Sequence, residues 1–161
     1  PHLPGTMAIN YLRNFYVDNK LIKGELEFGG ETLNVKDITM PIYSIAARTD
    51  HIVPWECSHK GVSQFGSKSA RFVLSGSGHI AGVINPPAAK KYGYVTNPAR
   101  PQDAKVWDAD AKAHEGSWWL DWTKWMARRS GNKIPASPVG GPDHKPIEDA
   151  PGSYVQKETI Y

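Results

Sequence analysis

Two side chains in this sequence have the type and setting for proton-transfer chemistry. Asp50 stands in Arg48-Thr49-Asp50-His51, directly after the apolar run Ile42-Tyr43-Ser44-Ile45-Ala46-Ala47. His79 closes Ser75-Gly76-Ser77-Gly78-His79, directly after Phe72-Val73-Leu74. An aspartate that accepts a hydrogen bond from one imidazole nitrogen fixes the tautomer and stabilises the imidazolium, leaving the other nitrogen to take a proton from a nucleophile. His51 adjoins the acid and is a candidate substrate-binding residue, with simple solvent exposure as the alternative. Asp in turns and His after Gly are also ordinary loop residues, so residue type alone leaves both readings open.

The elements around these loops favour the chemical reading. The run at 42–47 is nearly continuous and apolar, as expected of a strand buried on both faces of a parallel sheet. Pro54 suits the first turn of a helix that would reach about residue 65. A second buried strand follows at 72–74. The order is strand, acid loop, helix, strand, histidine loop, which is an α/β alternation. Reacting groups in open α/β sheets gather outside the carboxyl ends of strands, where both residues fall. In α/β-hydrolases the chain order is nucleophile, acid, histidine, and acid before histidine is the order here.

No G-x-S-x-G or G-x-C-x-G elbow occurs in the 161 residues. The one cysteine, Cys57, lies on the helix expected after Pro54 and reads as structural. The expectation is therefore that the nucleophile of this dyad lies upstream of Pro1, and that a chain starting at proline is a cut or processed piece. Gly76-Ser77-Gly78-His79-Ile80-Ala81 also matches the G-x-G-x-x-A dinucleotide pattern. That pattern needs a long helix next, and Asn85-Pro86-Pro87 arrives too soon. The glycines serve better as a sharp turn that places His79. The six scattered histidines form no H-E-x-x-H and there is no cysteine pair, so no metal site is expected.

Elsewhere, Met7, Tyr11 and Phe15 recur every four residues in a helix expected from Gly5 to about Lys23. Short alternating runs at 25–28 and 31–35 flank Gly29-Gly30 and read as a hairpin or turn. Residues 88–112 read as loop. Ser117 can cap a helix over 118–130 in which Trp118, Trp122 and Trp125 share a face, as core or interface packing. The domain reading is 1–131 for the α/β part and 132–161 for a Pro/Gly-rich tail.

Composition agrees with a soluble globular piece: 40% hydrophobic and 22% charged residues. The net charge of +3 and pI of about 9.0 come without a clustered basic stripe, so nucleic acid is not an expected partner. No apolar run approaches the ~18 residues of a membrane span, and no signal peptide opens the chain. A single cysteine allows no intrachain disulfide and suits a reducing cytosol.

The wording of the chain resembles the class I polyhydroxyalkanoate synthases, in their C-terminal part. Pro41-Ile42-Tyr43 and Ala47-Arg48-Thr49-Asp50-His51-Ile52-Val53-Pro54-Trp55 resemble that family's acid loop. Phe72-Val73-Leu74-Ser75-Gly76-Ser77-Gly78-His79-Ile80-Ala81-Gly82-Val83-Ile84-Asn85-Pro86-Pro87 resembles its histidine loop almost letter for letter. Leu3-Pro4-Gly5 with Tyr11-Leu12-Arg13-Asn14, Gly116-Ser117-Trp118-Trp119, and Ala150-Pro151-Gly152-Ser153-Tyr154-Val155 continue the likeness in the family's order. Residues 88–112 and 132–148 match only loosely.

The resemblance implies an α/β-hydrolase-type core, here incomplete, in an enzyme that polymerises (R)-3-hydroxyacyl-CoA with release of CoA. A cysteine would carry the growing polyester, His79 would be the general base, and Asp50 would either orient His79 or activate the substrate hydroxyl. Coenzyme A enters as the substrate thioester, and no cofactor or metal is implied. A cytoplasmic homodimer on polyester granules is the implied setting. Without the cysteine elbow the chain alone is expected to be inactive, and exposed strand edges would favour self-association. A thioesterase or polyester depolymerase using the same dyad, and a non-catalytic oligomerisation or granule-associating module, are the alternatives.

Overall fold

A computed structural model describes residues 3–157. The chain divides into two compact units, residues 1–128 and 129–161. The first holds every strand and α-helix of the described residues.

Its centre is a four-stranded sheet in which β3 (Ile42–Ala47), β4 (Ala70–Ser75), β5 (Tyr94–Thr96) and β6 (Lys112–His114) lie side by side in that order. Two short strands, β1 (Leu26–Phe28) and β2 (Glu31–Leu33), precede it as a separate antiparallel hairpin. Gly29 and Gly30 join them with φ of 62° and 87°, the pair of positive values a tight two-residue hairpin turn requires. Strands β3 (Ile42–Ala47) and β4 (Ala70–Ser75) run parallel, with helix α3 (Trp55–Val62) between them in sequence. The fold is thus mixed α/β with a parallel pair, and β5 (Tyr94–Thr96) and β6 (Lys112–His114) complete the sheet antiparallel.

Strand periodicity separates the two faces of the parallel pair. Ala46, Phe72 and Leu74 point to a core shared with Trp55 and Val62 of α3 and Trp107 of α4 (Ala104–Ala109). Trp107 is only 1% exposed and stacks tilted or edge-on against Trp55, His59 and Phe72, with centroids 6.4, 5.6 and 5.0 Å away. The alternate residues, Tyr43 and Arg71 among them, meet α5 (Trp119–Ala127) on the opposite face. Tyr43 and Arg71 are direct neighbours across the ladder and converge on Asp121 of α5. Arg71 grips its two carboxylate oxygens at 2.7 and 2.8 Å and Tyr43 donates to one at 2.8 Å. Burial, and then the bond to Asp121, push the Tyr43 phenol far above its ordinary range.

Several expectations need correction. The N-terminal helix is not continuous: α1 (Gly5–Tyr11) passes into a π-helical segment, Leu12–Val17, and α2 (Lys20–Lys23) follows a break at Asn19. Asn19 has φ of 49°, a left-handed conformation that asparagine tolerates and a helix interior does not. None of these helical residues is buried, so the stripe of Met7, Tyr11 and Phe15 is real but open. Strand β3 is buried only at Ala46 and Ala47, because it is an edge of the sheet among the described residues. By contrast Phe72, Val73, Leu74 and Ser75 of β4 are all buried, as a strand with partners on both sides must be. Residues 88–112 are not loop throughout, since they hold β5, α4 and the start of β6. Helix α3 stops at Val62, short of residue 65, and α5 stops at Ala127, short of 130.

His59 of α3 is 6% exposed, and its Nδ1 has no hydrogen-bond partner. Burial lowers its pKa, with the charge of Asp103 acting weakly the other way. The unfolded chain therefore binds a proton there more readily than the folded one. The stability that neutral His59 supports is complete above the ordinary histidine pKa of 6.5 and is lost as pH falls below it. The thermal midpoint is expected to fall between about pH 7 and about pH 5, and His59→Phe is expected to flatten that slope. An unchanged slope in the variant would assign the effect to other groups.

The second unit contains a turn of 3-10 helix, Tyr154–Gln156, among its described residues. Glu148 accepts from both the backbone N–H and the hydroxyl of Ser153, at 2.8 and 2.9 Å. No helix among the described residues is long and apolar enough to cross a membrane.

Candidate active site

The parallel ladder continues past the strand ends and ties the two loops together. Arg48 N–H donates to Ser75 O at 2.8 Å, and Thr49 N–H donates to Ser77 O at 3.0 Å. Asp50 and His79 therefore leave the sheet from neighbouring parallel strands at their common carboxyl end. His79 Nδ1 lies 2.8 Å from Asp50 Oδ2. The other carboxylate oxygen of Asp50 accepts the backbone N–H groups of Ile52 and Val53 at 2.8 and 3.0 Å. These bonds, Val53 first and then His79, hold the carboxyl down to about 2. Asp50 is thus an anion throughout the neutral range, with its orientation set by backbone donors.

An anionic Asp50 selects the tautomer with the proton on Nδ1, leaving the Nε2 lone pair available. The His79 side chain is 43% exposed while that of Asp50 is 10% exposed. The acid is sheltered and the base faces outward, which is the arrangement a base needs to meet a group brought to it.

The acid loop is also held from outside the sheet. Arg48 makes a bidentate pair with Asp108 of α4, at 2.7 and 2.8 Å. The histidine loop is compressed around Gly82. A Cβ there would lie 2.7 Å from Ala47 Cβ and from Gly76 O, and 2.8 Å from Gly78 O. Ser77 has φ of 68°, a left-handed conformation that costs a non-glycine residue about 1 kcal/mol or more and that sits two residues before the base. After His79 the chain makes one helical turn, with Gly82 N–H to Gly78 O at 2.9 Å and Ile84 N–H to Ile80 O at 2.8 Å. The long helix of a dinucleotide fold does not follow.

The remaining candidates are placed apart from the dyad's bonds. His51 is exposed and makes no hydrogen bond to a described residue. Cys57 is exposed on α3 and unpaired. Among the described residues no group of three or more His, Cys, Asp or Glu is arranged to hold a metal ion. Periodicity alone missed the contribution of Ser117, Trp118 and Trp119, which bond to the backbone of the histidine loop. The sequence marks Ser117 as a helix cap and Trp118 as a packing residue, and the indole N–H is the polar group that gives Trp118 and Trp119 a second role.

Several known proteins resemble this chain over nearly its whole length. No family model matches the chain. A poly(3-hydroxyalkanoate) polymerase subunit of Rhizobium meliloti is 48% identical over 154 residues, which is 96% of this chain and 25% of the relative. The corresponding subunit of Cupriavidus necator is 44% identical, over 96% of the chain and 26% of its own length. A poly(3-hydroxyalkanoate) polymerase of Methylorubrum extorquens is 42% identical over the same shares. The chain belongs to the poly(3-hydroxyalkanoate) polymerase family. It spans about a quarter of the length of these curated relatives. Within the polymerase family, then, this segment contributes a parallel strand pair and the hydrogen-bonded Asp50–His79 dyad.

Proposed function

We propose that this chain is the acid-and-base segment of a class I polyhydroxyalkanoate synthase, built on an α/β-hydrolase-type core. The full-length protein would polymerise (R)-3-hydroxyacyl-CoA, such as 3-hydroxybutyryl-CoA, and release CoA. The 2.8 Å contact between Asp50 and His79 at the ends of two parallel strands carries this reading. The identity to polymerases over nearly the whole chain supports it.

In this mechanism His79 Nε2 takes the proton of a cysteine thiol from the part of the protein outside this chain. The thiolate attacks the acyl-CoA carbonyl, the thioester C–S bond breaks, and CoA leaves with the proton from His79. The bond to His79 Nδ1 favours an orienting role for Asp50 over direct activation of the substrate hydroxyl. His51, exposed beside the acid, would contact substrate in this reading. The unpaired outer edge of β3 among the described residues fits a further strand from the rest of the sheet. A cytoplasmic homodimer on the surface of polyester granules, with residues 132–161 as a tail, completes the proposal. A thioesterase or depolymerase would put water where the growing chain's hydroxyl attacks, and the names of the relatives favour the polymerase.

The test is CoA release from (R)-3-hydroxybutyryl-CoA by the full-length protein, with polymer recovered as the product. Cys57→Ser is expected to retain turnover within about two-fold, since an exposed thiol on α3 has no part in the proton path. Release of CoA with free 3-hydroxybutyrate and no polymer would assign the hydrolase reading. Loss of all turnover in Cys57→Ser would overturn the assignment of the nucleophile.

A further inference from the structure

We propose that Trp118 and Trp119 are positioning residues for His79, acting through hydrogen bonds from their indole N–H groups to the turn that carries the histidine. This rests on the reading of His79 as the general base.

The turn after His79 is short, and a single helical turn leaves most of its C-terminal carbonyls without partners inside the helix. Three carbonyls at or just past its end, those of Gly82, Val83 and Asn85, accept from three consecutive residues at the entry to α5, and Val83 O also accepts the Asn85 N–H at 3.1 Å. Trp118 Nε1 donates to Gly82 O at 3.1 Å, and Trp119 Nε1 donates to Val83 O at 3.0 Å. The Ser117 hydroxyl donates to Asn85 O. Gly82 O also accepts the Ser75 hydroxyl at 2.6 Å, so it links β4 to α5. Indole is a donor only, and each of these bonds is lost if the ring loses its nitrogen.

The latch has a fixed base. Asp121, a turn further along α5, is held by Arg71 of β4 and Tyr43 of β3. The Tyr43 ring packs against Trp118 and Trp125, with centroids 6.1 and 5.4 Å away. Helix α5 is therefore registered on the same two strands that deliver Asp50 and His79. The indole bonds carry that register to the far side of the histidine loop. The His79 side chain is 43% exposed and has Asp50 as its bonded partner, so its placement depends on where its own backbone is held.

The experiment compares Trp118→Phe/Trp119→Phe, each single variant and Trp122→Phe in the full-length protein. Phenylalanine keeps an aromatic ring and removes the donor together with one ring of the indole, and Trp122→Phe removes the same atoms where no bond to the loop is at stake. Trp122 packs on Trp118 at 6.4 Å but is not among the donors to the loop. The double variant is expected to lose about 10- to 100-fold in kcat with KM for acyl-CoA unchanged, the scale of a base displaced by a fraction of an ångström to one ångström. Trp122→Phe is expected to match the wild type. In a His79→Ala background the same two changes are expected to cost nothing further, because there is no base left to place. An equal loss in that background, or full kcat in the double variant, would overturn the proposal. If the double variant fails to fold by thermal melting, Trp119→Phe alone carries the same comparison. His79→Ala with wild-type turnover would instead remove the proposed function, and is read separately.

Discussion

Asp50→Asn in the full-length protein is expected to lower turnover by about 10⁴, and His79→Ala by about 10²–10⁴. The asparagine variant is the sharper test because the surrounding bonds decide how the amide must sit. Ile52 and Val53 present two backbone N–H donors to one oxygen of Asp50. An amide NH₂ facing them would leave donor against donor, so the Asn oxygen keeps that place. Its NH₂ is then turned toward His79 Nδ1, where the carboxylate oxygen now sits. The ring must accept at Nδ1 and carry its proton on Nε2, and a protonated Nε2 cannot receive the thiol proton. Shape and packing are almost unchanged, so the thermal midpoint should move little while CoA release collapses. Because Asp50 remains ionised down to about pH 2, its titration is not expected to shape the activity profile in the neutral range. CoA release by Asp50→Asn within ten-fold of wild type would mean that the carboxylate does not set the tautomer, and the choice for Asp50 would pass to the substrate hydroxyl.

The dyad was readable from the chain because its supports are local and regular. An apolar run followed by a polar turn marks a strand end, and two such ends in a parallel pair bring Asp50 and His79 to the same end of the sheet. The hairpin at Gly29-Gly30 was readable for the same reason, since few residues other than glycine accept two positive φ values in succession. The segment from 88 to 112 was not, because β5 and β6 are three residues each and α4 is six, too short for periodicity to register. There the Asp103 carboxylate accepts from Lys105 and Val106 N–H and starts α4. Gly82 was legible as part of a motif but not as a contact, because what excludes a side chain is Ala47 on another strand. The spacing of Trp118, Trp122 and Trp125 marks a packing face, yet the direction of an indole N–H at 118 or 119 depends on tertiary neighbours that no spacing rule encodes.

Trp107→Ala is expected to cost about 3–5 kcal/mol of folding stability, the range for truncating a fully buried large aromatic. That is a large part of the 5–15 kcal/mol typical of a domain. Helix α4 is too short to persist by its own hydrogen bonds, so its place depends on Asp103 as cap and Trp107 as anchor. The anchor fills the space between Trp55, His59 and Phe72, and those aromatic contacts vanish together in the alanine variant. Trp107→Phe should fall between wild type and alanine in denaturant midpoint, since a smaller ring still meets Phe72. The loss is expected to reach the site as well. Asp108, the next residue, holds Arg48 by two hydrogen bonds, and Arg48 lies two residues before Asp50. A protein in which α4 has come away from the core should keep a histidine loop latched by α5 but lose the outer brace on the acid loop. Activity of Trp107→Ala, measured well below its melting temperature, should then fall more than that of Trp107→Phe. A denaturant midpoint shift equivalent to less than about 1 kcal/mol would mean that burial of Trp107 is not what holds α4, and the brace through Asp108 would need another origin.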